Sequence, residues 1–95
     1  MPAYAVFIRN SINDQAGLDA YGAAARAARG DHKLEPIVFY NPNETVEGEP
    51  ADAVAIIKFE DMAAAKAWYH SPAYQEAAKL RKASADYRVI LTEGL

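Results

Sequence analysis

Hydrophobic and polar positions along the chain switch between a period of two and a helical period, and the switches mark the elements. From Ala3 to Arg9 the residues alternate, Tyr4, Val6 and Ile8 against Ala5, Phe7 and Arg9, which predicts a strand. Asn10 to Asn13 predicts a turn, and Asp14 an N-cap. Leu18, Tyr21, Ala25 and Ala28 then recur at helical spacing, so a helix is expected from about Gln15 to Ala28. Arg26 and Arg29 suit the negative end of its dipole, and Gly30 fits the residue just past its end. Leu34 to Tyr40 predicts a second strand, which Asn41-Pro42-Asn43 breaks. Glu44 to Glu47 reads as a short extension and Gly48 to Asp52 as a polar turn.

The stretch from Ala53 to Tyr74 organises the rest. Ala53 to Phe59 is an apolar, β-branched run broken only by Lys58, apolar on both faces, as a central strand requires. Asp61 is an N-cap, and an alanine-rich helix turns Met62, Ala65 and Trp68 or Tyr69 inward. Ser71-Pro72 ends that helix, because proline disfavours helical dihedrals in the residue before it. The same pair opens another helix to about Ala83, with Ser71 as cap and Pro72 as its first residue. Ala73, Ala77, Leu80 and Ser84 line one side of it, and Tyr74, Ala78 and Arg81 a neighbouring side. Tyr87 to Glu93 is the last strand.

The order β-α-β-β-α-β, with the second α split at Ser71-Pro72, predicts a single α+β, ferredoxin-like domain over residues 1–95: an antiparallel sheet with helices on one face. The more apolar sets, Tyr4/Val6/Ile8, Ala55/Ile57/Phe59 and Tyr87/Val89/Leu91, are assigned to the helix side. Phe7, Val54, Ile56 and Ile90 then fall on the other face, ringed by Arg9, Lys58 and Arg88. A sheet face open to water alternates to polar residues, and this one does not at its centre. A homodimer through that face is therefore expected.

Composition narrows the partners. Hydrophobic residues make up 52% of the 95, but many are alanine, so large core residues are few. A net charge of −3 argues against nucleic acid as a partner. The absence of cysteine excludes disulfides, thiol nucleophiles and cysteine-based metal sites. No stretch is long and apolar enough for a membrane span, and the N-terminus lacks the pattern of a signal peptide, so a cytoplasmic protein is expected.

The candidate ligand-binding residues are Arg81, Tyr74, Trp68, Tyr69, Ser71 and His32. Arg81 and Tyr74 lie two turns apart on one helical side and can hold a carboxylate through a guanidinium fork and a phenol, or Arg81 can pair with an acid while its stem packs. Trp68 and Tyr69 fit the core or a pocket wall. Ser71 is accounted for by its cap role. His32 and His70 are the only histidines, at no metal-ligand spacing, so no metal or other cofactor is expected.

The run from Ala53 to Arg81, with Phe59, Ala65, Trp68, Tyr69, Ser71, Pro72, Tyr74 and Arg81 in place, resembles the core motif of the domain of unknown function 1330 family, and the C-terminal VILTEGL resembles its last strand. Gly30-Asp31-His32 departs from the family's glycine-rich turn. The resemblance implies a ferredoxin-like fold of the dimeric α/β-barrel superfamily and no established reaction. Two functions follow as expectations. One is a small dimeric protein that binds an anionic or aromatic organic ligand beside the sheet. The other is a cofactor-independent enzyme, monooxygenase- or isomerase-like, acting on an organic acid or a quinone-like ring.

Overall fold

The computed structural model describes residues 1–95. Its elements are β1 (Ala3–Ile12), α1 (Gln15–Ala28), β2 (Glu35–Phe39), β3 (Ala53–Phe59), α2 (Met62–Tyr69), α3 (Pro72–Ser84) and β4 (Ala85–Glu93). The sheet has the order β2-β3-β1-β4 with every pair antiparallel, which is the ferredoxin-like arrangement.

Each helix starts where a side chain supplies the missing acceptor. Asp14 accepts from Gly17 N at 3.1 Å, Asp61 from Ala64 N at 2.8 Å and Ser71 from Tyr74 N at 3.3 Å. Pro72 occupies the first turn of α3, and Gly30, past the end of α1, has the left-handed φ of 51° that a C′ residue needs. β1 runs on to Ile12 through the expected turn, because β4 begins directly after α3 and pairs Ala85 and Asp86 with Ile12 and Ser11 across an irregularity. Residues 44–47 form no strand; 41–52 are a loop, exposed but for Ala51.

The core lies between the sheet and the helices, and here the expected faces need one correction. Residues directly opposite in an antiparallel pair share a face. Ala55, Ile57 and Phe59 face the helices as expected, and they pair with Phe7, Ala5 and Ala3. Phe7 is therefore core, buried against Trp68, and Arg9 lies on the same helix side, opposite Ala53 and Tyr87, not on the outer face. Tyr4, Val6 and Ile8 go to the outer face with Val54, Ile56 and Ile90. The physical reason is register: pairing with β3 puts Ala3, Ala5 and Phe7 on the helix side, where the two small alanines are fully buried in one core cluster with Trp68 and Tyr74. The outer face remains apolar. Val38, Ile56, Val6 and Ile90 stand opposite one another in a row across all four strands.

α1 packs along α3, and the two are tied where they meet: Ser84 O accepts from Asn13 N at 2.7 Å and Asp14 N at 3.0 Å. In α3 the buried stripe is Tyr74, Ala77, Ala78, Arg81 and Ser84, while Ala73 and Leu80 are exposed. No helix is long and apolar enough to cross a membrane.

Candidate functional site, an aromatic cavity under α1

A cavity of about 820 Å³ opens between α1 and the sheet. That is ample for a small organic ligand, since such pockets run to about 300–1,000 Å³. Phe7, Ala55 and Ile57 form its sheet side, Phe39 and Tyr40 its β2 end, and Trp68 and Tyr87 close it. One face of α1 forms the opposite wall, from Gln15 through Leu18, Asp19, Gly22 and Arg26 to Arg29.

Rings are held by other rings. Trp68 stacks at 4.2 Å on Tyr74, at 5.3 Å on Phe59 and edge-on at 6.2 Å on Phe7. Its Nε1 has no hydrogen-bond partner. Two phenol pairs brace the wall: Tyr21 with Tyr74, Oη to Oη at 2.7 Å, and Tyr40 with Tyr87 at 3.0 Å. Burial pushes the hydroxyls of Tyr21, Tyr40 and Tyr74 above the ordinary tyrosine value, so all three stay protonated at neutral pH. Tyr40 is also the one residue other than glycine with positive φ, at 59°. That conformation turns its ring back to meet Tyr87 and to carry the Arg9 guanidinium 5.0 Å above it.

Arg81 lies directly behind this wall. It is 3% exposed, and its guanidinium sits 5.2 Å from the Tyr87 ring, 5.6 Å from Phe7 and 5.8 Å from Tyr21. The structure's two ion pairs are Arg9–Asp52 and Lys79–Glu76, so Arg81 has no carboxylate, and its Nε and Nη2 have no partner. Burial works against its charge, but a guanidinium is too strong a base to lose its proton in a protein, and the group stays a cation. A buried cation without a counter-ion raises the potential in the adjoining cavity. The lining adds Arg9, Arg26 and Arg29 against a single acid, Asp19, which accepts from Gln15 Nε2 at 2.9 Å. The cavity therefore offers flat apolar surface and a positive field, a combination that fits a planar organic anion.

Of the residues singled out from sequence, Arg81, Tyr74 and Trp68 come together at this wall. Tyr69 stacks on Tyr74 at 5.4 Å and does not line the cavity. Ser71 serves as cap, donating as well to Trp68 O at 2.8 Å. His32 sits in the turn after α1, where its backbone N–H donates to Arg29 O, and does not itself line the cavity. No group of three or more metal-ligating side chains occurs. Sequence reasoning missed Arg9, Tyr21, Tyr40, Tyr87 and Arg26 as wall residues. The available signal was glycine inside an alanine-rich helix, which marks Gly17 and Gly22 alike.

The family model described as domain of unknown function (DUF1330) matches residues 2–95. No curated protein matches the chain. Among solved structures, a protein of unknown function from Rhodopseudomonas palustris is 22% identical with a TM-score of 0.73, covering 99% of this chain and 82% of its own. SnoaB, a cofactor-independent oxygenase from Streptomyces nogalater, is 14% identical with a TM-score of 0.66, covering 99% of this chain and 93% of its own. A dimeric ferredoxin-like protein of unknown function from a Jannaschia species is 18% identical with a TM-score of 0.62, covering 99% of this chain and 100% of its own. These likenesses establish the fold.

Proposed function

This chain belongs to the DUF1330 family, a domain of unknown function, and we propose that it binds a small planar aromatic carboxylate in the cavity between α1 and the sheet. The observation that carries the proposal is Arg81: a buried, charged guanidinium with no acid partner, set behind the rings that line the cavity. Leaving a cation there costs several kcal/mol of desolvation. A ligand carboxylate on the other side of the wall offsets that cost, and an apolar isostere does not.

The same proposal includes a homodimer through the outer sheet face. The apolar row Val38, Ile56, Val6 and Ile90 supports it, with Ile90 45% exposed in the single chain. Burying four such side chains stabilises by roughly 6–12 kcal/mol before association costs, at about 1.5–3 kcal/mol each.

A second reading, a cofactor-independent enzyme acting on the same ligand, draws on the presence of Asp19 in the cavity and on the description of SnoaB. The phenols are held protonated and can donate protons but not take them; Asp19 is the acid placed to act as a base.

Calorimetric titration tests the binding reading with 2-naphthoate and its neutral isostere 2-naphthol. The carboxylate is expected to bind at least about tenfold more tightly, the worth of a charge-assisted contact. Arg81→Met weakens that preference while leaving stability equal or higher, because an apolar side chain of similar volume replaces a buried charge. Equal affinity for the two ligands in the wild type contradicts the reading.

A further inference from the structure

Two glycines interrupt α1, and they have different reasons. Glycine is the poorest ordinary residue in a helix interior, and this helix is otherwise rich in alanine, so each glycine needs a cause. At Gly17 the cause is packing: a Cβ there would overlap Ser84 Oγ and sit 2.8 Å from Asp14 Oδ2. At Gly22 nothing in the fold forbids a side chain. A Cβ would meet only the tip of Arg26, Nη1 at 3.5 Å, in ordinary contact. Gly22 has a helical φ and lines the cavity.

The cavity's cations divide in the same way. Arg9 is engaged by Asp52 at 2.7 Å, Arg29 donates to Leu34 O at 2.9 Å, and Arg81 is enclosed behind the wall. Arg26 makes no side-chain hydrogen bond and no ion pair, and its guanidinium lies beside Gly22.

We infer that Gly22 and Arg26 are the specificity element of the cavity: the bare backbone at Gly22 admits the flat face of an aromatic ring, and the free Arg26 guanidinium takes that ring's carboxylate. This rests on the reading of the cavity as an aromatic-anion site and adds how the ligand is selected. A methyl group at position 22 adds bulk to a wall that Gly22 leaves bare, at the cost of the space a ring would take. Arg26 meets the ligand where the cavity opens to solvent, so its contribution is modest and screened by salt.

Trp68, the single tryptophan, lines the cavity and reports binding by its fluorescence. Wild type, Gly22→Ala and Arg26→Gln are titrated with 2-naphthoate and 2-naphthol, and each is melted without ligand. In Gly22→Ala the melting temperature is expected to rise by a few degrees, as an unconstrained helix glycine should when replaced by alanine. Its affinity for both ligands falls by about tenfold, the size of a steric mismatch of one methyl. In Arg26→Gln only the carboxylate weakens, by about fivefold, and the melting temperature is unchanged. If wild type binds 2-naphthoate but Gly22→Ala binds it within about twofold, or melts lower, the Gly22 assignment is overturned. If Arg26→Gln keeps the wild-type preference for the carboxylate, the Arg26 assignment is overturned. If the wild type binds neither ligand, the aromatic-anion reading itself fails, and this inference with it.

Discussion

Tyr40 holds a left-handed backbone conformation, φ 59°, that glycine would adopt without strain. The strain is on the order of 1–2 kcal/mol, and the ring it positions is the return: one phenol bonded to Tyr87 and one face under Arg9. Tyr40 lines the cavity with Tyr21, and Tyr74 stands behind them bonded to Tyr21; burial raises the pKa of all three hydroxyls. The sign of the linkage is clear. An acid whose folded-state pKa lies above its unfolded value binds its proton more tightly when folded, so its contribution is complete below the unfolded value and is lost as pH rises towards the folded one. Stability set by these groups is therefore flat through the neutral range and falls steeply above about pH 10, where unfolded tyrosines ionise. Denaturant melts between neutrality and pH 11 check this. Replacing Tyr21 with Phe should make the alkaline loss shallower, and an unchanged slope would mean that the hydroxyl is not held protonated.

Most element boundaries were legible in the sequence because they depend on local chemistry. The caps Asp14, Asp61 and Ser71, the break at Pro72 and the glycine past α1 all act within a few residues of where they stand. The face that β1 presents was not legible, because parity is set by register with β3 and not by which alternate set is larger. The cavity was legible only in part. Tyr74 and Arg81 share a side of one helix, which spacing reveals. Phe7, Tyr21, Phe39, Trp68 and Tyr87 meet only because α1 spans the sheet at a distance, and no local pattern encodes that. At this scale the contact between α1 and α3 gives a sharp contrast with Gly22. Gly17→Ala forces a methyl against the buried Ser84 hydroxyl and the Asp14 cap, and the expected cost is about 1–3 kcal/mol despite alanine's better helix propensity. A chemical melt decides it. A Gly17→Ala variant as stable as the wild type would mean that the two helices separate without cost.

For the whole molecule, the two faces of the sheet have different tasks. One supports the core and the cavity; the other carries Val38, Ile56, Val6 and Ile90 in a row to the surface. A two-fold partner presenting the same row covers both copies with one patch, and a specific contact of this kind buries upward of about 1,000 Å². Sedimentation at micromolar concentration is expected to show a dimer, and Ile56→Asp a monomer or an unfolded chain, since an unpaired charge in a dry centre is costly. A monomeric wild type would contradict the pairing. The two apolar surfaces also make rival claims on any aromatic ligand, and the central claim is that the cavity takes it. Nuclear Overhauser contacts from bound 2-naphthoate test this most directly. The account predicts contacts from the naphthalene ring to the side chains of Trp68, Phe7 and Tyr87, and to the Gly22 backbone. Contacts to the methyl groups of Val6, Ile56 and Ile90 in their place would put the ligand on the outer face and contradict it.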